Sequence, residues 1–161
     1  MKYPPEIAYS KMVDWCNKAE RCRFDIKQKL ARWQAEKEFI SNCIERLERG
    51  NLLSDERYAL AFAHDKSTLQ RWGIRKIQMH LKARAISEEF IRHALANLPT
   101  EVHDENIKEL TMRKWPSLKG KSEFERTSKL IQFLMRKGFS YDAIKKSLLH
   151  IGLESPDINH L

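Results

Sequence analysis

An all-α fold of three tandem three-helix repeats is what this sequence predicts, and three observations carry the prediction. Apolar residues recur three times in one register: Ile26 and Leu30 are followed, ten residues after the leucine, by Ile40, Ile44 and Leu47; Ile77 and Leu81 by Ile91, Leu95 and Leu98; Leu130 and Leu134 by Ile144, Leu148 and Ile151. The 161 residues include only five Gly and five Pro, and strand-like alternation of apolar and polar residues is scarce, so helices must dominate. A unit of about 50 residues buries only about 60% of its unfolded surface, so such repeats should lean on one another in a continuous, elongated array. The expected divisions are 1–52, 53–100 and 101–155, with a C-terminal tail at 156–161.

Each helix has its own local warrant. Pro4 and Pro5 suit the mouth of a first helix running to about Ala19, with Tyr9, Met12, Val13 and Cys16 on one stripe. The spacing predicts a second helix over about Arg23 to Trp33 and a third ending near Gly50, the residue a helix terminus favours. Ser54-Asp55-Glu56 reads as a cap followed by acids that complement the helix dipole, opening a helix that carries Tyr58, Ala59, Phe62 and Ala63. Gly73 separates it from a helix with Ile74, Ile77 and Leu81 inward. Ser87-Glu88-Glu89 then caps a helix holding Ile91, Leu95 and Leu98, which Pro99 stops. The last three helices are expected around Asn106 to Trp115, Glu123 to Lys137 and Tyr141 to Ile151. Pro116 and Gly120 mark the longest loop, Gly138 a left-handed helix end and Ser140 an N-cap.

Thirty Lys and Arg against 22 acids give a net charge of +8, which favours a polyanion or an acidic protein face. The excess is shared, +3 over residues 1–50, +3 over 51–100 and +2 over 101–161, so no basic tail carries it. The sharpest charge feature lies between Lys66 and Ser87, where Lys66, Arg71, Arg75, Lys76, Lys82 and Arg84 occur without one acid. With Ile74, Ile77 and Leu81 inward, helical geometry turns Arg75, Gln78 and Lys82 to one exposed stripe. The corresponding helix of the third repeat has no acid between Arg126 and Tyr141, and places Lys129, Gln132 and Arg136 away from Leu130 and Leu134. Glu20 and Asp25 interrupt any such face in the first repeat. Lys and Arg are also good helix formers on an ordinary solvated face, but such faces usually mix both signs. Trp72 and Trp115 stand near these charges; at helix ends they read as packing anchors before they read as stacking platforms.

Metal and catalytic constellations are poorly supported. The six histidines, His64, His80, His93, His103, His150 and His160, never pair at helical spacing for zinc. His64 and Asp65, being adjacent, should diverge around their helix. Asp55 and Glu56 are accounted for by their place at a helix start. No phosphate-cradling Gly-rich loop or nucleophile elbow occurs, so the expectation is a protein without catalysis or cofactor. Cys16, Cys22 and Cys43 lack zinc or disulfide spacing and read as reduced thiols. With neither a secretory leader nor an apolar run of about 20 residues, the expected setting is the cytoplasm, with no membrane contact.

Three segments resemble those of one family. Asn51-Leu52-Leu53-Ser54-Asp55-Glu56-Arg57-Tyr58-Ala59 resembles the G-Y-L-D-D-x-R-F-A segment of the RecX family of bacterial recombination regulators. Arg71-Trp72-Gly73-Ile74-Arg75-Lys76-Ile77-Gln78-Met79-His80-Leu81 resembles its K-x-G-P-x-x-I-x-x-E-L. Leu130-Ile131-Gln132-Phe133-Leu134-Met135-Arg136-Lys137-Gly138-Phe139-Ser140 resembles its K-x-x-R-F-L-x-R-R-G-F-S. The likeness covers about residues 10–151. Ile74 replaces the usual Pro, Ser54 one of two acids, and Ala85 a usual Gly; an Ala in the left-handed region would cost about 1–2 kcal/mol, so that helix is expected to end differently. The resemblance implies tandem three-helix repeats and a non-enzymatic regulator in DNA repair and the SOS response. It also implies a monomer that binds the RecA recombinase along its filament on single-stranded DNA and restrains it. Arg71, Arg75, Lys76 and Lys82 of the second repeat and Lys129 and Arg136 of the third are the contact candidates, facing acidic RecA surface or the DNA itself. A direct DNA-binding helix-turn-helix module is the alternative, although Gly73-Ile74 is a poor opening for a base-reading helix; a scaffold for another acidic partner is a third.

Overall fold

The computed structural model describes residues 1–153, and among them there are nine α-helices and no strand. In chain order they are α1 (Pro5–Lys18), α2 (Arg23–Arg32), α3 (Lys37–Arg49), α4 (Asp55–Thr68), α5 (Ile74–Ala83), α6 (Glu88–Ala96), α7 (Thr100–Lys114), α8 (Glu123–Arg136) and α9 (Tyr141–His150). The tail expected at 156–161, with His160, lies outside the described residues. The all-helical repeat fold is as the apolar register predicts. Two local readings change. Helix α7 begins at Thr100, well before the expected Asn106, because Pro99 both ends α6 and, with φ −60°, occupies the N-cap of α7. A single 3-10 turn, Trp115–Ser117, stands in the expected long loop.

The chain forms two compact units, one of residues Met1–Phe62 and Leu81–Ala94, the other of Ala63–His80 and the described residues from Leu95 onward. In the first, α3 packs on α1 and α2. Its core holds Met12, Cys16, Ile26, Leu30, Ile40, Cys43, Leu47 and Leu53. In the second, α7, α8 and α9 pack on one another around Ile107, Leu110, Leu130, Ile131, Leu134, Phe139, Ile144, Leu148 and Leu153. Two expected core residues lie elsewhere. Ile74 is 39% exposed: helical side chains lean toward the N-terminus, so in the first turn of α5 it overhangs the helix end. Ile151 is also exposed, and Leu153 is buried in its stead.

One helix-closing device recurs five times. A residue with positive φ follows the helix, and the next residue donates its N–H to a leucine carbonyl five positions back. The positive-φ residues are Gln34, Asn51, Ala85, Gly138 and Gly152. The corresponding bonds run from Ala35 to Leu30 (3.1 Å), Leu52 to Leu47 (2.8 Å), Ile86 to Leu81 (3.2 Å), Phe139 to Leu134 (3.2 Å) and Leu153 to Leu148 (3.1 Å). Each satisfies a carbonyl that the helix leaves orphaned and pairs two apolar side chains across the turn. Gly50 is therefore not the left-handed residue of α3; its φ is −79°, and Asn51, at φ 55°, takes that role. Ala85 likewise does not end its helix differently: it adopts φ 56°, keeping the geometry that glycine would take with less strain.

Side-chain caps fix other starts as expected. Ser54 Oγ accepts from Arg57 N (3.2 Å), and Ser140 Oγ from Ala143 N (3.2 Å). Arg57 then ties two loops of the first unit together: Nε donates to Glu20 at 2.9 Å, and its terminal nitrogens donate to the side chain and backbone oxygens of Asn51 at 2.7 and 3.0 Å. Asp55 does more than open its own helix. Its Oδ1 accepts from Arg23 N at 2.8 Å, capping α2, whose own N-cap residue Cys22 offers no side-chain bond. The three cysteines are buried free thiols; burial pushes Cys22 up to about 12 and Cys43 up to about 11, so both stay protonated and inert near neutrality.

Candidate basic contact surface

The two helices singled out for charge, α5 and α8, meet in the second unit through main chain. Gly73 N donates to Lys137 O at 2.7 Å and Arg75 N to Gly138 O at 3.1 Å, so amides at the start of α5 satisfy carbonyls at the end of α8. Oppositely signed helix ends thus meet. No side chain fits in this joint. A Cβ at Gly73 would overlap the carbonyl of Gly138, and one at Gly138 would overlap the side chain of Lys76.

Around the joint the second unit gathers cations on aromatic rings. Lys76 Nζ lies over Trp72 at 4.1 Å from the ring centroid and Lys66 Nζ at 4.9 Å, while His80 tilts against the same indole at 4.7 Å. Lys114 and Lys137 stand over Phe133 at 5.3 and 6.0 Å. Trp72 N also donates to Lys66 O at 2.9 Å, which holds the indole beside the end of α4. Cations over ring faces gain from the ring quadrupole and keep their outer side for a partner. Burial, together with repulsion from Lys137 and Lys66, holds the Lys76 ammonium below its ordinary value. Trp115 instead sits under Arg126, 4.1 Å away, whose guanidinium also bonds the Leu118 and Trp115 carbonyls at 3.1 and 3.2 Å; that ring is an anchor of the fold.

The six candidate residues divide sharply. Arg71, at φ 52°, is bound by both oxygens of Glu109 at 2.7 and 2.8 Å, which holds the Glu109 carboxyl below its usual range. Lys82 belongs to the first unit and pairs with Glu88 at 2.9 Å. Lys129 pairs with Glu125 at 2.7 Å and donates to Lys119 O at 2.8 Å. Arg75 and Arg136 are exposed, and among the described residues neither has an ion-pair partner; Lys76 belongs to the indole cluster. Lys137, Lys114 and Phe133 are not singled out by sequence reasoning. The signal available is the aromatic at 133 beside a Lys-Gly helix end, matching Trp72 beside Gly73.

Absence of acid along the chain is not absence of acid in space, because Glu109, Glu125 and Asp25 reach the basic stretches from other helices or other turns; Asp25 approaches Arg84 at 3.6 Å. His64 and Asp65 do not diverge: their side chains approach to 3.4 Å on the surface. Among the described residues no group of three metal-ligating side chains occurs, and no helix is long and apolar enough to cross a membrane.

Nine helices in triplet order among the described residues, closed by one recurring device and bearing a basic aromatic surface, define a helical-repeat protein of binding rather than pocketed type. The chain belongs to the RecX family. Residues 54–95 match the family model for the second three-helix domain of RecX, and residues 102–148 that for the third. The regulatory protein RecX of Limosilactobacillus reuteri (strain DSM 20016) is 30% identical over 145 residues, 88% of this chain and 55% of that protein. That of Clostridium perfringens (strain 13 / Type A) is 33% identical over 120 residues, 73% and 56%. The chain thus spans about 55% of the length of these relatives. A crystal structure of regulatory protein RecX is similar with a TM-score of 0.80 at 28% identity, covering 88% of this chain and 71% of that one. The RecX structure from Lactobacillus salivarius shares the fold, with a TM-score of 0.74 at 22% identity over 92% and 97% of the two chains.

Proposed function

We propose that this protein is a non-catalytic regulator that binds the RecA recombinase filament on single-stranded DNA and restrains its recombination and ATPase activity. The observation that carries the site is the glycine joint: it gathers Lys66, Lys76, Lys137 and the exposed Arg75 and Arg136 in one compact unit, while Glu109 and Glu125 of that unit are engaged by other cations. The chemistry of this surface is electrostatic, and the partner is acidic RecA surface or the phosphates within the filament. Arg71, Lys82 and Lys129, being neutralised within the fold, have the smaller share. Membership of a family whose relatives are named regulatory proteins supports the regulatory role.

RecA ATP hydrolysis on single-stranded DNA, titrated with this protein, tests the reading. The Arg75→Glu/Arg136→Glu double variant is expected to lose at least about tenfold in inhibitory potency, because each weakened charged contact contributes on the order of 1 kcal/mol. Full inhibition by that variant, with unchanged helicity, would show that the filament is met by some other face. The helix-turn-helix alternative fits less well, since a recognition helix leads with its N-terminus and the start of α5 is bonded to the end of α8. Tight, base-specific duplex binding without RecA would restore it.

A further inference from the structure

The lysine cluster over Trp72 has chemistry beyond that of a charged surface. Lys66 and Lys76 share one indole, with Nζ atoms 4.9 and 4.1 Å from the ring centroid, and Lys137 reaches the same neighbourhood from the glycine joint. Lys76 is half-buried, and no acid occurs in the sequence from Lys66 to Lys76 that bears all but one of these groups. Glu109, which does reach this stretch, is held by Arg71 and Arg113 at 2.7–2.8 Å.

Two consequences follow from charges of one sign placed this closely. The cluster favours loss of a proton from its most desolvated member, and that member is Lys76, whose ammonium is destabilised by burial and by both neighbours. A free amine is the nucleophilic form of lysine. The lysines that remain charged present ammonium groups to a dianion, as phosphate requires.

We propose that Lys76 is a site of acyl transfer from acyl phosphates, with Lys137 and Lys66 positioning the phosphate. The Lys76 amine attacks the acyl carbon of acetyl phosphate; the new C–N bond forms as the C–O bond to phosphate breaks. The amine proton leaves with the departing phosphate as hydrogen phosphate, and nothing is oxidised or reduced. The product is uncharged Nε-acetyl-lysine, which relieves repulsion in the cluster and leaves the alkyl stem to lie against Trp72. One of the cations proposed to meet the filament is removed. Only that last effect rests on the proposed function; the modification itself requires neither RecA nor DNA.

The test uses the full chain incubated with acetyl phosphate near pH 8, with acetylation at each lysine followed over time by tandem mass spectrometry. Lys76 is expected to react at least about fivefold faster than exposed Lys145, a one-unit fall in an amine's pKa being worth about tenfold in free base. Acetic anhydride, which carries no phosphate, serves as the neutral donor. In Lys137→Gln the ratio of the acetyl phosphate rate to the anhydride rate at Lys76, each relative to Lys145, should fall at least about twofold, the scale on which removing an exposed ion pair of about 0.5 kcal/mol acts. Equal rates at Lys76 and Lys145, or an unchanged ratio in Lys137→Gln with unchanged helicity, would overturn the proposal. Fast acetylation of Lys76 that leaves RecA inhibition intact would count against this surface as the filament contact and leave the acyl-transfer site standing.

Discussion

Ala85 keeps a left-handed backbone that glycine enters with less strain, and its side chain is exposed, so no packing compensates. Ala85→Gly should therefore stabilise the protein by about 0.5–1 kcal/mol: relief of about 1–2 kcal/mol of strain, offset by the larger unfolded-state entropy of glycine. A higher urea midpoint at constant m-value would register it. His103 offers a different kind of test. It lies half-buried against Phe139, ring centroids 5.1 Å apart, and burial holds its imidazole below the ordinary value, with Asp104 opposing. The folded state thus binds this proton less readily than the unfolded chain. Stability from neutral His103 is complete above the unfolded value, about 6.5, and is lost as pH falls from there through the lowered folded value. His103→Gln should flatten that part of the decline in Tm between about pH 7 and pH 5, a window in which histidines dominate titration.

At the scale of helices, the apolar register, the serine caps and the glycine end of α8 were all legible, because each follows from local spacing. The start of α7 was not, since Pro99 can end one helix and open the next, and propensity does not separate these uses. Asp55 as the cap of α2 was equally hidden: its partner amide, Arg23 N, is 32 positions away. The closing device shows how a repeat can keep its geometry while its turn residue varies among Gln, Asn, Ala and Gly; the constant parts are the leucine and the apolar residue five places on. The contact of α8 with α5 depends on space rather than on φ at Gly73. Gly73→Ala should accordingly destabilise by more than about 2 kcal/mol, since an atom forced into packed backbone displaces both helices. Thermal unfolding compared with the neighbouring surface change Ile74→Ala would separate this steric cost from a loss of apolar burial.

Over the whole chain, the net charge of +8 told the sign of a partner but not which charges remain available to it. Periodicity placed the basic residues on helices; it could not foresee that Glu109 and Glu125 would answer Arg71 and Lys129, because those pairings depend on how α7 and α8 present their carboxylates. Any direct binding to single-stranded DNA should be salt-labile and indifferent to base sequence. Replacing both Arg75 and Arg136 with Gln should lower the magnitude of the log Kd against log salt slope by about 1.4, near 0.7 for each phosphate no longer neutralised. Fluorescence anisotropy with oligonucleotides of mixed and homopolymeric sequence would measure both the slope and the indifference.

The bonds of the glycine joint are made by Gly73 N, Arg75 N and the carbonyls of Lys137 and Gly138, and none of these depends on a side chain. The frame of the surface is therefore written in backbone while its message is written in side chains, and the two can vary separately. Substitutions at Arg75, Lys76, Arg136 or Lys137 can retune affinity or select a different partner while the α5 and α8 ends stay clasped, so the joint works as a fixed socket with interchangeable contacts.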